Sequence, residues 1–223
     1  MQRLAALNNQ FKHVPLAPPD AILNLTTGFK ADKNPKKVNL GVGAYRDNDG
    51  KPYVFPVVRK VEAEIVANPS LDKEYLPIQG LDDFCKGAKG VMFGFNSPII
   101  NDPRLISVQT LSGTGALRVI ADFLKKYRPA ALYMSNPTWG NHNAVFGAAG
   151  IDVRSYRYFD PKTKGLNING MIEDLDAAPA GSAVLLHVCA HNPTGVDPTP
   201  EQWQQIADVC KRRQLYPFFD SAY

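Results

Sequence analysis

The sequence predicts an α/β fold, a largely parallel sheet covered by helices, and two observations predict it. From Leu105 onward, short apolar runs of strand length alternate with longer segments of helical period. The residues directly after those runs are polar and rich in Gly and Asn-Pro pairs, as suits the carboxyl ends of parallel strands, where open α/β sheets bind ligands.

Taken in chain order, residues 1 to about 30 contain Pro15, Pro18 and Pro19 and read as an extended arm followed by a short helical piece, Ala21–Lys30. Val38–Gly43 is an apolar stretch broken by glycines. Val57, Val58, Val61 and Ile65 recur at helical spacing, which predicts a helix over Val54–Ala67 that Pro69 ends. A second helix is expected over Leu81–Phe93. The α/β part then offers strands Leu105–Thr110, Ala131–Ser135, Val153–Tyr158, Ala183–Ala190 and Tyr216–Asp220. Between them lie helices Ala116–Tyr127, Asn141–Ala149, Ile168–Asp176 and Pro200–Arg212. Leu117, Ile120, Ala121 and Leu124 share one side of the first of these, ready to cover a sheet. Only Ser221, Ala222 and Tyr223 follow the last strand, so no covering helix follows it, and an incomplete domain is the expectation.

Composition removes several function classes. With 44% hydrophobic residues the chain is globular, and its net charge of +4 is dispersed without a Lys/Arg run, which argues against a nucleic-acid partner. No stretch approaches the ~18 apolar residues that span a bilayer, so no membrane association is expected. Cys85, Cys189 and Cys210 are widely spaced and lack a CxxC pair, which points to a reducing compartment and to no metal. The start has no secretory core, while its poverty in acids leaves an organellar leader open.

The chemistry sits at the strand ends. Ser112-Gly113-Thr114-Gly115 precedes a helix, where unpaired N–H groups, two glycines and two hydroxyls make a phosphate cup; a purely structural turn is the alternative. The Gly-Lys-Ser/Thr of a nucleotide-hydrolysing loop and the GxGxxG of a dinucleotide fold are both absent. Asn136-Pro137-Thr138-Trp139 and Asn192-Pro193-Thr194 echo each other at two strand ends, and either Asn-Pro bond is a candidate cis peptide, with an ordinary trans turn as the alternative. Asp220 closes an apolar strand, so its charge needs a partner. A protonated pyridine nitrogen fits, with Trp139 stacked on the ring and Tyr223 reaching its phenolic oxygen; a helix cap or a structural ion pair is the competing reading of Asp220.

These residues belong to longer segments. Leu40–Arg46 (LGVGAYR), Glu74–Pro77 (EYLP), Ser112–Leu117 (SGTGAL), Asn136–Trp139, His187–Gly195 (HVCAHNPTG) and Phe218–Tyr223 (FFDSAY), in that order, closely resemble the aspartate aminotransferases, class I pyridoxal-phosphate enzymes. The resemblance implies a type I pyridoxal-phosphate-dependent transferase fold, truncated: an arm over residues 1–14, part of a small domain over 15–52, and an incomplete large domain over 53–223. It implies pyridoxal 5'-phosphate as cofactor, its phosphate held by Ser112, Gly113 and Thr114, its ring by Trp139 and its nitrogen by Asp220. Asn192 and Tyr223 would bond the ring oxygen, and Tyr75 would reach the phosphate of the other subunit. Gly43, Trp139 and Asn192 would meet the substrate, with His142 supporting Asp220 and His187 a buried support. The implied reaction moves an amino group between aspartate and 2-oxoglutarate, so the partners are amino and oxo dicarboxylates and, in the full-length form, a second copy in a homodimer. The Schiff-base lysine and the substrate-clamping arginines would lie beyond Tyr223, leaving this chain inactive alone. A non-catalytic dimerisation partner and an aromatic aminotransferase are the alternatives. The expected compartment is the cytoplasm, with the mitochondrial matrix as the alternative.

Overall fold

The structure is a computed structural model that describes residues 13–16, 21–39, 41 and 43–223; most of the expected arm, and Leu40 and Val42 of the glycine-rich motif, lie outside the described residues. The chain divides into two compact units, Met1–Glu74 and Tyr75–Tyr223.

In the first unit, α1 spans Ala21–Ala31 and α2 spans Pro56–Ala67. Pro56 starts α2 well, because its missing N–H falls where a helix has no acceptor to offer. None of its residues is buried, and Val57, Val61 and Ile65, the stripe that predicts it, are 65%, 45% and 51% exposed. Between the helices an Arg46–Pro52 bridge closes a turn through Gly50 at φ 74°. Tyr45, Tyr53 and Phe55 cluster beside it with ring centroids 4.8 to 5.8 Å apart.

The second unit holds the sheet. Helix α3 covers Asp82–Phe93, a 3-10 turn covers Pro98–Asn101, and α4 covers Ser112–Tyr127. There follow β1 (Leu132–Asn136), α5 (Gly140–Ala148), β2 (Val153–Arg157), a small hairpin of β3 (Phe159–Asp160) and β4 (Gly165–Leu166), α6 (Ile168–Asp176), β5 (Ala183–His187), α7 (Pro200–Arg212) and β6 (Tyr216–Asp220). The four long strands form one parallel sheet in the order β2-β1-β5-β6. Both faces of its centre are covered, which is why β1 and β5 read as continuous apolar runs rather than alternating ones. On one face Leu117, Ala121 and Leu124 of α4 pack with Phe146 of α5 against Leu132, Met134 and Leu185. On the other, Met171 and Leu175 of α6 and Ile206 and Val209 of α7 pack against Tyr133, Tyr156, Val184 and Leu186. Helix α7 is closed at its start by a reciprocal cap, Thr199 Oγ1 accepting from Gln202 N–H and Gln202 accepting from Thr199 N–H.

Three expectations are corrected. Leu105–Thr110 is extended but not a strand, because a strand exists only through a ladder and no neighbouring strand flanks it among the described residues. Gln109 fastens it instead: its N–H donates to Gln79 O at 2.9 Å, and its Oε1 accepts the Leu81 N–H at 2.9 Å. The run Ala183–Ala190 leaves the sheet after His187, and α4 begins at Ser112 rather than Ala116. At the far side, β6 is an edge among the described residues, with Phe219 53% exposed beside an apolar recess of about 290 Å³ lined by Leu186, Trp203, Ile206 and Pro217.

Candidate active site

The topology places the site before any side chain is considered. The strand after β1 lies on one side of it, and the strand after β5 lies on the opposite side, so the direction of winding reverses between β1 and β5. Such a switch point opens a crevice beyond the carboxyl ends of the strands. The β1–β5 ladder is only two residue pairs long, Leu132–Ala183 and Tyr133–Val184, whereas β1–β2 and β5–β6 each have five. Toward the crevice, side chains take over from that ladder. The Leu185 carbonyl accepts from the Tyr156 hydroxyl at 2.8 Å, and Ser135 Oγ lies 2.8 Å from His191 Nε2. Complete burial pushes the Tyr156 phenol far up, which keeps it a donor.

At this edge the β5–β6 register sets His187 opposite Asp220, so both side chains lie on one face. His142, in the first turn of α5 and fully buried, comes down on them: its Nε2 is 2.8 Å from Asp220 Oδ2, and its ring stacks on His187 with centroids 5.3 Å apart. The His142 hydrogen bond holds the Asp220 carboxyl below its ordinary value in spite of burial. An ionised carboxylate only accepts, so His142 Nε2 carries the hydrogen, and in the neutral ring Nδ1 accepts from the Thr138 hydroxyl at 2.8 Å. Trp139, the residue before α5, stands edge-on to His142 at 5.3 Å. Trp139, His142, His187 and Asp220 are thus one cluster, fed by three separate strand ends. Their nitrogen and carboxylate ligand atoms do converge, those of His142, His187 and Asp220 lying within 4.8 Å of one another. The His142–Asp220 hydrogen bond already uses two of them.

The glycine cup lies at the same edge. Only residues 128–131 separate the end of α4 from the start of β1, and Lys125 near that end donates to the carbonyl of Gly150, which stands just before β2. The carboxyl end of α4 is therefore at the strand starts, and sixteen residues, about 24 Å of helix, carry its amino end back toward the strand ends. There Ser112 adopts φ 60°, unusual outside glycine, and no side chain caps the helix. The first helical bond is Gly115 N–H to Leu111 O at 3.1 Å, which leaves the N–H groups of Gly113 and Thr114 with no helical acceptor. Ser112, Gly113 and Thr114 are all exposed.

Asn192 follows β5 in a loop, half-buried, and both Asn136–Pro137 and Asn192–Pro193 are cis. Tyr223 is 63% exposed, its carbonyl accepting from Cys189 Sγ at 3.6 Å, and no contact joins its hydroxyl to Asn192. Tyr75 is 96% exposed, and Gly43 lies exposed in the other unit. What sequence reasoning missed is the support: Thr138, Ser135, Tyr156 and, above all, His191. The residue is 2% exposed, and its ring stacks on Tyr158 at 3.9 Å and bonds Ser135 and Thr194. The available signal was its position directly before Asn192.

Burial drives the His191 imidazole down to about 4 from 6.5, and burial beside His142 lowers His187 as well. The unfolded chain therefore binds more protons than the folded one between pH 6.5 and 4, so stability is full above 6.5 and falls as the pH drops through that window. His191 alone accounts for about 3 kcal/mol across it, from ~1.4 kcal/mol per pKa unit. Urea unfolding at pH 7.5 and pH 5 should show about 2 kcal/mol of that loss, since pH 5 lies 1.5 units into the window, and His191→Gln should flatten it. Asp220, whose pKa is depressed below that of a free carboxyl, adds its own loss only below about pH 4.

The family model described as aminotransferase class I and II matches residues 35–223. Cytoplasmic aspartate aminotransferase of Oryza sativa subsp. japonica is 53% identical over 219 residues, 98% of this chain and 54% of the relative. Aspartate aminotransferase 1 of Medicago sativa is 52% identical, with 98% and 53% covered. Among solved structures, the aspartate aminotransferase from Saccharomyces cerevisiae cytoplasm superposes with a TM-score of 0.88 at 43% identity, over 95% of this chain and 52% of that one. An aromatic-amino-acid aminotransferase of Burkholderia pseudomallei, covalently bound to pyridoxal phosphate, gives 0.90 at 44%, over 96% and 54%. The chain spans about half the length of the curated relatives it matches. A parallel sheet with its polar cluster at the switch point, matched along nearly its whole length, settles the lineage: the chain belongs to the class I and II aminotransferase family.

Proposed function

We propose that the chain is the cofactor-holding half of an aspartate transaminase, exchanging an amino group between L-aspartate and 2-oxoglutarate. The observation that carries the reading is Asp220, an ionised, half-buried carboxylate at the switch point, bonded to fully buried His142 beside the indole of Trp139. The family's cofactor is pyridoxal 5'-phosphate, and the donor set fits it: orphan N–H groups and hydroxyls for an anion, an indole for a flat ring, and a carboxylate for a protonated ring nitrogen. When bound, this cofactor supplies an electron sink for the carbon that loses its proton.

The chain's own residues do the remaining work assigned here. Gly113 and Thr114 N–H groups and the Ser112 and Thr114 hydroxyls hold the phosphate. Asp220 keeps its charge because His142 donates to it, and Thr138 fixes which His142 nitrogen does so. Asn192 and Tyr223 donate to the ring oxygen, and Asn192 meets a substrate carboxylate. Exposed Tyr75 reaches the phosphate in a second copy, making the working form a homodimer. Proton transfer and the grip on the second carboxylate are assigned to the part of the relatives' length that this chain does not span. We place it in the cytoplasm, the compartment named for the rice relative.

Aspartate is favoured over aromatic substrates on the names of the curated relatives, 52–53% identical; among solved structures the yeast aspartate enzyme at 43% and the Burkholderia aromatic enzymes at 42–44% stand alike. The test joins residues 1–223 to the part of the rice relative that lies outside the match. This joined protein should bind pyridoxal 5'-phosphate and transaminate aspartate, and the 223-residue chain should be inactive. A joined protein that folds without holding the cofactor or turning over aspartate would refute the cofactor-holding reading, and turnover by the 223-residue chain would refute the division of labour.

A further inference from the structure

The loop carrying Asn192 is closed by one carboxylate that no role so far uses. Asp197 Oδ2 accepts the Ala190 N–H at 2.8 Å, and its Oδ1 accepts the His191 N–H at 2.9 Å. Ala190 lies in the left-handed region at φ 49°, which L side chains resist. Two successive N–H groups turned toward one anion form a concavity that elsewhere binds phosphate or sulfate, and here the chain fills it with its own aspartate. Within the loop, Gly195 N–H donates to His191 O at 2.7 Å, and Thr194 Oγ1 lies 2.8 Å from His191 Nδ1. Asn192 comes directly after the two clasped residues. Its own side chain makes no hydrogen bond among the described residues, so its position is inherited from the backbone before it.

We propose that Asp197 is a positioning residue for Asn192: it neutralises the paired N–H groups, holds Ala190 in its left-handed turn, and so aims the Asn192 amide into the crevice. The proposal deepens the functional reading above and rests on Asn192 meeting cofactor and substrate there. Charge matters as well as shape, because an amide at 197 offers one acceptor oxygen and points an NH₂ at the other N–H.

The first measurement is independent of activity. In the 223-residue chain, Asp197→Ala should speed amide hydrogen exchange at Ala190 and His191 at least about tenfold, the factor that loss of a ~1.4 kcal/mol bond produces. Exchange at Leu132 and Val184 in the sheet should be unchanged, and Asp197→Asn should fall between. Unchanged exchange at Ala190 and His191 in both variants overturns the clasp.

The second measurement uses the joined protein. There Asp197→Ala should lower kcat/KM for aspartate about 10²-fold, the cost of a misplaced binding group. In Asn192→Ala background the same change should cost almost nothing more, since both act through one amide. Additive losses would make Asp197 merely structural and overturn the positioning role. Full activity of Asn192→Ala alone would instead overturn the functional reading of Asn192, leaving the exchange rates to judge the clasp.

Discussion

Replacing Asp220 with alanine should abolish useful turnover in the joined protein, lowering kcat/KM by about 10³-fold or more. Two separable effects produce that loss. Asp220 is bonded to His142, which is fully buried, and removing the acceptor strands the imidazole N–H at a cost of about 1–3 kcal/mol. The same carboxylate is the anion assigned to the cofactor nitrogen, and losing about 4 kcal/mol of transition-state stabilisation corresponds to about 10³ in rate. Asp220→Asn separates the two. It keeps an oxygen for His142 Nε2–H and so should preserve most of the stability, yet it carries no charge and should be nearly as inactive as alanine. Thermal unfolding and steady-state kinetics of both variants make the comparison. An active Asp220→Asn protein would show that the carboxylate is there for His142 alone.

Phe146→Ala should be the most destabilising single change, by about 3–5 kcal/mol, because it empties the contact between α5 and the sheet. Phe146 is fully buried, meets Phe218 of β6 edge-on at 5.9 Å and lies 6.3 Å from the His142 ring one turn earlier on the same helix. The cavity therefore opens directly behind the residue that holds Asp220. A midpoint in urea should fall sharply, and cofactor affinity should fall with it even in the fraction that stays folded. Val119→Ala, on the outer side of α4 and 52% exposed, should change neither and serves as the control.

Much of this was legible in the residues because the central strands are covered on both faces. Leu132–Met134 and Ala183–Leu186 had to be continuous apolar runs, and the helices between them had to carry one apolar stripe each. The crevice residues were legible for the same reason: Trp139, Asn192 and Asp220 are polar or aromatic interruptions placed where apolar runs stop. Leu105–Thr110 was not, since its alternation is that of a strand while a ladder depends on a neighbour elsewhere. The start of α4 was missed because Ser and Gly read as loop, whereas Ser112 at φ 60° lets the helix begin on them. Tyr156, Ser135 and His191 were invisible because their bonds cross the sheet over 29 and 56 residues of sequence, a separation no local pattern records.

The decisive experiment is a crystal structure of the joined protein with pyridoxal 5'-phosphate. The phosphate should lie on the N–H groups of Gly113 and Thr114, the ring against Trp139, and the ring nitrogen within hydrogen-bond distance of Asp220. A cofactor seated elsewhere, or one whose nitrogen faces away from Asp220, would contradict the account.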